Sequence, residues 1–143
     1  FAEAMLSPTT SCDVRRDLFR VAAQQHSQLA KEAAQGHGVH RHLLGLKDLA
    51  EADTGRPLHA LFQDPLFAHS RRWRLSTSNL SVPYLGHFAF GPVVPDGYGV
   101  GYSLLPSGLQ FSITSFTTDP STDAAQFSDG LRQSLQDIVA LHD

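Results

Sequence analysis

The chain has 143 residues, and its 11 basic and 14 acidic side chains give a formal charge of −3 at pH 7 with neutral histidines. Hydrophobic residues make up 41% of the sequence, as in an ordinary globular domain, which excludes a disordered, collagenous or coiled-coil chain. The mild acidity argues against nucleic-acid binding, which needs a clustered basic surface. The lone Cys12 excludes an intrachain disulfide framework, and no apolar run approaches the roughly 18 residues of a membrane span.

The first third of the chain has the apolar spacing of an amphipathic helix. Asp13 is expected to cap this helix at its start, and Gly36 and Gly38 to end it. The helix is predicted over residues 14–34, with an apolar face formed by Val14, Leu18, Ala22, Leu29 and Ala33.

Two further helical segments are predicted after residue 38. The first ends at the helix breaker Thr54–Pro57. A short helical turn over Leu58–Phe62 follows, and Asp64-Pro65 is expected to stop it. The apolar face of the longer segment is predicted to be Leu43, Leu46, Leu49 and Ala50.

The spacing of apolar residues then changes to the period of two that is typical of strands. Four strands are predicted, over residues 72–76, 87–94, 99–104 and 109–116, and the turn Pro106-Ser107-Gly108 joins the last two. In the last strand Leu109, Phe111 and Ile113 are expected to point inward. Asp119-Pro120-Ser121 is expected to open a C-terminal helix, whose apolar face is Ala124, Phe127, Leu131, Leu135 and Ile138.

This order of elements predicts an α/β fold of the layered α+β kind. A mixed or antiparallel sheet of about four strands is expected, covered by helices. No internal repeat or low-complexity linker divides the sequence.

Two chemistries that the residue types suggest are weakly supported. His37, His40 and His42 lie within six residues, but spacings of three and two fit neither one helix face nor a standard zinc pattern, so no metal site is predicted. Capping of a helix start is the simpler explanation. Serine, histidine and aspartate are all present, yet the sequence contains no nucleophile elbow of the GxSxG type, so a catalytic triad cannot be assigned.

Two segments are more informative. The run Ser76-Thr77-Ser78-Asn79 follows a predicted strand, where its hydroxyls could donate to an oxyanion or a carboxylate, or simply satisfy the backbone of a turn. The glycine-rich segment from Gly91 to Tyr102 contains the turn signal Pro95-Asp96-Gly97 between strand-forming residues. It predicts a hairpin that frames a site, with glycines that allow close approach of the backbone. No phosphate loop is predicted, because no Gly-Lys-Ser/Thr follows.

Three ordered blocks of the sequence resemble the choline/carnitine acyltransferase family. They are RHLLGLK from Arg41 to Lys47, LSTS from Leu75 to Ser78, and FGPVVPDGYGVGY from Phe90 to Tyr102. Their order and spacing also match the family, over nearly the whole chain. The stretch from Gln28 to Ala34 looks like the mitochondrial palmitoyl-type branch.

The resemblance implies a reaction and a larger fold. Members transfer a fatty acyl group directly between coenzyme A and the hydroxyl of carnitine, without a covalent enzyme intermediate. A histidine acts as the general base. Coenzyme A or acyl-coenzyme A is then a co-substrate, no cofactor is permanently bound, and the sheet is part of a two-domain acyltransferase fold.

The resemblance also implies roles for single residues. Ser78 is the expected hydrogen-bond donor to the oxyanion, and Ser76 is expected near the carnitine carboxylate. Thr77 is expected to bind substrate, and Asn79 matches a position that contacts coenzyme A in some members. Arg41 matches a position that is arginine in carnitine users and asparagine in choline users. A guanidinium pairs with the carboxylate that carnitine has and choline lacks. The alternative is an arginine that pairs with surface carboxylates.

The chain departs from the family pattern in two ways. His40 stands where members usually have an aspartate. The catalytic histidine of the family lies in a His-x-x-x-Asp motif upstream of the three blocks, as does the coenzyme A-binding segment, and no histidine here matches that motif. Because Phe1 reads as the middle of an element, residues 1–143 are expected to be the C-terminal portion of a larger enzyme. The isolated chain is therefore expected to be inactive.

Acyl-chain length, compartment and partners follow from the resemblance only in outline. Phe88 and Ala89 stand where side-chain bulk gates the pocket for long chains in the family, so Phe88 leaves the chain length open. Mitochondria are expected first and peroxisomes second, with a parent protein peripheral to a mitochondrial membrane. The alternatives are a choline O-acetyltransferase-like enzyme, which Arg41 disfavours, and a non-catalytic domain that keeps the fold.

Overall fold

The computed structural model describes residues 1–53, 55–82 and 84–142. It divides into two compact units, one formed by Phe1–Gln63 with Gln136–Asp143 and the other by Asp64–Leu135. The first unit is helical, and the second contains the sheet.

The helices of the structure are, in chain order, α1 (Ala2–Leu6), α2 (Cys12–Ala34), α3 (Val39–Ala52), α4 (Ala60–Gln63), α5 (Pro65–Ser70) and α6 (Ala124–Ala140). The predicted helices over 14–34 and after residue 38 and the C-terminal helix are confirmed, whereas α1 and α5 were not predicted. The predicted start of the C-terminal helix at Asp119-Pro120-Ser121 is wrong, because α6 begins at Ala124 and the Asp123 carboxylate accepts hydrogen bonds from Ala125 N and Gln126 N. Asp64 and Pro65 begin α5 and do not merely stop α4, because the Asp64 carboxylate accepts a hydrogen bond from Leu66 N and proline fits the first helical turn. The breaker predicted at residues 54–57 begins outside the described residues.

The start and the contact face of α2 differ from the prediction. Ser11 caps the helix by accepting a hydrogen bond from Val14 N, so Asp13 lies inside the first turn and pairs with Arg16. Gly36 ends the helix as predicted, with a φ of 84° that favours glycine. The predicted apolar face is wrong along its whole length, since all five of its members are exposed: Val14, Leu18, Ala22, Leu29 and Ala33. The Phe19 ring of α2 packs against the rings of Phe1 and His142, with a distance of 5.4 Å between ring centroids in both pairs.

The predicted apolar face of α3 is wrong in half of its positions. Leu46 and Leu49 are exposed. The half-buried residues of this helix include a histidine and a lysine: His40, Leu43, Leu44, Lys47 and Ala50. A lysine stem packs on apolar surface while its ammonium stays in water, here paired with Glu51.

The sheet of the second unit has three strands in the described residues, ordered β1 (Leu75–Asn79), β2 (Tyr98–Leu105) and β3 (Gly108–Thr114). β1 pairs with β2 in parallel and β2 with β3 antiparallel, so the sheet is mixed, as one of the two predicted alternatives had it. The predicted count of about four is one too many. The turn predicted at residues 106–108 joins β2 and β3.

Two strand predictions require correction. The first strand begins at Leu75 and not at Arg72, so the hydroxyl run lies within β1 and not in a turn after it. The segment 87–94 is irregular: it crosses one face of the sheet and does not pair as a strand. The turn at Pro95-Asp96-Gly97 is present, with Gly97 N donating to Val94 O at 3.1 Å, but it is not a hairpin because no strand precedes it.

One face of the sheet is apolar. Alternation along the registered strands places Leu75, Thr77 and Asn79 on the same face as Val100, which is 5% exposed. The β3 residues on this face are, as predicted, Leu109, Phe111 and Ile113. α6 packs here through Phe127, whose ring lies 4.6 Å from that of Tyr98. The predicted apolar face of α6 is confirmed, because its members are the half-buried ones: Ala124, Phe127, Leu131, Leu135 and Ile138.

The opposite face of the sheet is built of small and polar residues. The register places Ser76 beside Gly99 and Ser78 beside Gly101, followed on β3 by Thr114 and Ser112. The irregular segment crosses this face at the glycines. A methyl group built on Gly99 would lie only 2.5 Å from Phe90 O. The predicted close approach of the backbone at the glycines is therefore confirmed.

Candidate functional site

The strand β1 sorts the four predicted site residues onto two faces. Ser76 and Ser78 lie together on the polar face, and Thr77 and Asn79 lie on the apolar face. This separation follows from the two-residue period of a strand. The structure therefore brings together the two serines on one face, while Thr77 also borders the cavity that Ser76 lines.

The Ser78 hydroxyl borders an open strand position. Its registered partner is Gly101, and the β3 residue opposite Gly101 is Ser112. Ser78 is exposed. Within residues 55–82 and 84–142 its hydroxyl makes no hydrogen bond, so its proton can be donated to an external acceptor.

Ser76 is half-buried and lines a surface cavity of about 400 Å³. Trp73 and Leu75 from the approach and start of β1 and Val93 from the irregular segment form most of the rest of the wall. The serine hydroxyl thus stands in a mainly apolar cavity, the usual composition of a small-molecule pocket.

Thr77 and Asn79 have different surroundings. Thr77 lines an apolar cavity of about 280 Å³ between the sheet and α6, with Val100, Phe111 and Phe127 among the other residues. Asn79 accepts a hydrogen bond from the Ser81 hydroxyl at 3.3 Å and is exposed.

The predicted acyl-pocket residues differ in exposure. The Phe88 ring packs against Gly101, where a built methyl group would meet its Cε2 at 3.1 Å and its Cζ at 3.2 Å. Ala89 is exposed. Only Phe88 therefore presents bulk beside the strand position that pairs with Ser78.

A charged cluster lies where β1 and β2 begin. The Asp96 carboxylate pairs with Arg72 at 2.6 Å and with Arg74 at 3.1 Å. Hydrogen bonds from the hydroxyl and backbone N–H of Ser121 lower the pKa of Asp119, and the two arginines lower it further. Sequence reasoning identified Asp96 only as a turn residue, because its partners stand more than 20 residues earlier and no local pattern joins them.

Arg41 lies in the other compact unit, in the first turn of α3. Its side chain is exposed, and it makes no ion pair among the residues that the structure describes. Gly38 caps the helix without a side-chain hydrogen bond, and the first turn contains no acidic residue. A cation here is disfavoured by the helix dipole, so Arg41 does not serve helix stability.

The remaining candidates give no metal or membrane site in the described part of the chain. Residues 1–53, 55–82 and 84–142 contain no group of three histidine, cysteine or carboxylate side chains placed to hold an ion. His40 and His42 lie in α3, and His37 precedes it. No helix in these ranges is both long and apolar enough to cross a membrane.

Comparison with known proteins gives the family. The choline/carnitine O-acyltransferase family model matches residues 1–133. The chain is 37% identical over 141 residues to carnitine O-acetyltransferase of Columba livia, covering 99% of this chain and 22% of that protein. It is 39% identical over 126 residues to the mitochondrial carnitine O-palmitoyltransferase 2 of Xenopus tropicalis, covering 88% of this chain and 18% of that protein. Human carnitine O-acetyltransferase is 34% identical over 141 residues, which cover 99% of this chain and 22% of the human protein.

The chain belongs to the choline/carnitine O-acyltransferase family. It spans about a fifth of the length of the relatives that it matches. These relatives include both acetyl- and palmitoyl-transferring enzymes.

Proposed function

We propose that this chain is the C-terminal portion of a carnitine O-acyltransferase and carries part of its reaction centre. The observation that carries the proposal is the placement of Ser76 and Ser78 on one polar strand face in a member of this family. Carnitine is named in the relatives that the chain matches. Coenzyme A and its acyl thioester are the proposed co-substrates.

In the proposed reaction the carnitine hydroxyl attacks the thioester carbonyl of acyl-coenzyme A. A general base takes the hydroxyl proton, and the carbonyl oxygen becomes an oxyanion as the new C–O bond forms. Collapse of this intermediate breaks the C–S bond, and the coenzyme A thiolate leaves and takes a proton. The Ser78 hydroxyl donates to the oxyanion, which stabilises charge that is absent from the bound substrates.

Arg41 is proposed to pair with the carboxylate of carnitine. Ser76 is a separate proposal for a carboxylate contact, supported by the family membership of the chain. A guanidinium offers paired donors that match a carboxylate, and the free N–H groups in the first turn of α3 favour an anion at the same end. Choline lacks the carboxylate and would leave a guanidinium without its counter-charge. The guanidinium of Arg41 therefore favours carnitine over choline as the substrate.

Thr77 and Asn79 have a smaller part in this proposal. Because they lie on the apolar face, away from the two serines, neither shares the polar surface with the proposed oxyanion donor. Thr77 is proposed to act by packing in the cavity with Phe127. Asn79 lies one residue beyond Ser78, at the end of β1, and stays the proposed contact for coenzyme A.

The general base is proposed to lie outside this chain. No histidine of residues 1–143 stands in the family's His-x-x-x-Asp motif. The 143-residue chain alone is therefore expected not to catalyse acyl transfer. The experiment is a coenzyme A release assay with acetyl- and palmitoyl-coenzyme A, with and without carnitine. The longer protein encoded around this chain should release coenzyme A only with carnitine, and the 143-residue chain should not.

Each alternative predicts a different result in this assay. Release that needs choline and not carnitine would identify a choline acetyl-transferring enzyme. No release by the longer protein with either alcohol would identify a non-catalytic domain that keeps the fold. Mitochondria are the proposed compartment, supported by the mitochondrial palmitoyltransferase relatives, with peroxisomes second.

A further inference from the structure

The strand β1, which contains Ser76 and Ser78, has no hairpin turn to set its register against β2. A hairpin turn fixes the register of β2 and β3, but β1 runs parallel to β2, and irregular chain joins them. β1 is also short and at the edge of the sheet in the described residues, and Leu75 at its start is half-exposed. After Leu75 the strand is polar on both faces, with two serines on one face and Thr77 and Asn79 on the other. Register is weakly specified in a strand that is polar on both faces.

The register of β1 decides the chemistry proposed for it. A slip of one residue turns every side chain to the opposite face. Ser76 and Ser78 would then face α6, and Leu75 and Thr77 would face the polar side.

Asp96 fixes the two strands together where both begin. The Asp96 side chain is only 18% exposed. Its carboxylate accepts a hydrogen bond from Arg72 Nη2 at 2.6 Å and forms an ion pair with Arg74 Nε at 3.1 Å. Arg74 Nε also donates to the Asp96 carbonyl oxygen at 3.3 Å. One carboxylate therefore binds two guanidinium groups of the segment that leads into β1.

Backbone contacts next to Asp96 are consistent with the same register. Tyr98 N donates to Arg74 O at 2.7 Å, immediately before the first registered pair of Leu75 with Tyr98. A methyl group on Gly97 would lie 2.9 Å from Arg74 O, so the turn and the strand approach closely. At the other end of β1 the contacts are neutral, with Ser103 Oγ donating to Leu80 O at 3.0 Å.

We infer that Asp96 is a positioning residue that sets the register of β1 through Arg72 and Arg74, and thereby aims Ser76 and Ser78 at the polar face. The inference rests on the proposed function only for its catalytic consequence. Asp96 itself does not contact the proposed reacting atoms; it acts through the strand.

Amide hydrogen exchange of the longer protein tests the register role without any substrate. Asp96→Asn keeps the size of the side chain and removes its charge, so amides of β1 should exchange about tenfold faster while those of β3 keep their rates. Asp129→Asn is the matched control, since Asp129 pairs with Arg132 at 3.1 Å on exposed α6. Raising the salt concentration should speed β1 exchange in the wild type and not in Asp96→Asn.

Unchanged β1 exchange in Asp96→Asn, or an equal rise in β1 and β3, would overturn the inference. If Asp96→Asn does not fold, Arg72→Gln removes one of the two guanidinium groups and should give the same pattern at about threefold. In the longer enzyme, Asp96→Asn should lower kcat and leave KM for acyl-coenzyme A unchanged, with Asp96→Glu restoring part of the loss. A wild-type enzyme without acyl transfer would refute the proposed function, whereas the exchange result decides the register role by itself.

Discussion

Ser78 and Gly101 are registered partners across the parallel strands β1 and β2, so the serine hydroxyl borders a strand position without a side chain. The Phe88 ring occupies the space above that glycine. The proposed oxyanion donor, the missing side chain and the aromatic ring are therefore neighbours on one polar face. The polar face is a consequence of residue spacing, since the glycines of β2 alternate with Tyr98, Val100 and Tyr102 and the two serines of β1 are two residues apart.

The glycines of β2 should be intolerant of side chains. In Gly99→Ala the new methyl group would meet Phe90 O at 2.5 Å, so the crossing segment must move, at a cost of about 1–3 kcal/mol in the free energy of unfolding. Gly45→Ala is the control, because a methyl group there meets nothing within 4 Å and alanine favours the helix by about 1 kcal/mol. Urea unfolding measures both changes. Equal stability of Gly99→Ala and the wild type would contradict the close approach.

Arg41 should determine the affinity for carnitine. Arg41→Ala in the longer enzyme removes the guanidinium that is proposed to pair with the carboxylate, and KM for carnitine should rise about 10- to 100-fold with a smaller effect on kcat. Arg20→Ala, which removes an exposed arginine of α2 paired with Asp17, serves as the control. Steady-state kinetics with varied carnitine distinguishes them. An unchanged KM in Arg41→Ala would disprove the carboxylate role.

Phe88 should limit the length of the acyl chain. Phe88→Ala removes the ring above Gly101, and the ratio of kcat/KM for palmitoyl- over acetyl-coenzyme A should rise about tenfold or more. Phe116→Ala removes an exposed ring just after β3 and should leave that ratio unchanged. The measurement is a competition assay with both thioesters. A ratio that stays the same in Phe88→Ala would exclude Phe88 from the acyl pocket.

The turn before α6 should show a titration that depends on Ser121. The Ser121 hydroxyl and backbone N–H donate to Asp119 at 2.7 and 2.9 Å and lower the pKa of that carboxyl. Because the pKa of Asp119 is lower in the folded state, its ionised carboxylate stabilises the fold fully above the unfolded pKa of about 4. This contribution to stability is lost as the pH falls through the folded pKa.

Carboxyl NMR titration tests this assignment. Ser121→Ala removes the larger of the two contributions, so the pKa of Asp119 should rise towards its ordinary value. Ser134→Ala, whose hydroxyl donates to Gly130 O, is the control and should not move it. A pKa of Asp119 that does not change in Ser121→Ala would show that another group lowers it.

Much of the helical part of the fold could be predicted from the sequence, and so could the inward residues of the last strand, Leu109, Phe111 and Ile113. Local signals carry this information: the periods of 3.6 and two, and glycine at residue 36. Which residues of α3 are half-buried could not be predicted, because packing depends on partners distant in sequence. Segment 87–94 looks like a strand since it is rich in β-formers, but tertiary packing against Gly99 and Gly101 overrides that preference.

In the candidate site, too, some residues could be predicted from the sequence and others depend on partners distant in sequence. The family blocks identified Ser76, Ser78 and Arg41, whereas the strand start was placed three residues early. That shift placed the hydroxyls at the end of the predicted strand, with a turn as the alternative, whereas the structure has them within β1. The role of Asp96 depends on arginines distant in sequence, and no spacing rule links a turn carboxylate to them.

The central claim is that Ser78 stabilises the oxyanion of a carnitine acyl transfer, and one pair of variants tests it most directly. In the longer enzyme, Ser78→Ala should lower kcat about 100- to 1,000-fold with little change in either KM, because the hydrogen bond forms only in the transition state. Ser112→Ala removes the hydroxyl on the far side of Gly101 and should stay within about twofold of the wild type. A Ser78→Ala enzyme with wild-type kcat would contradict the account.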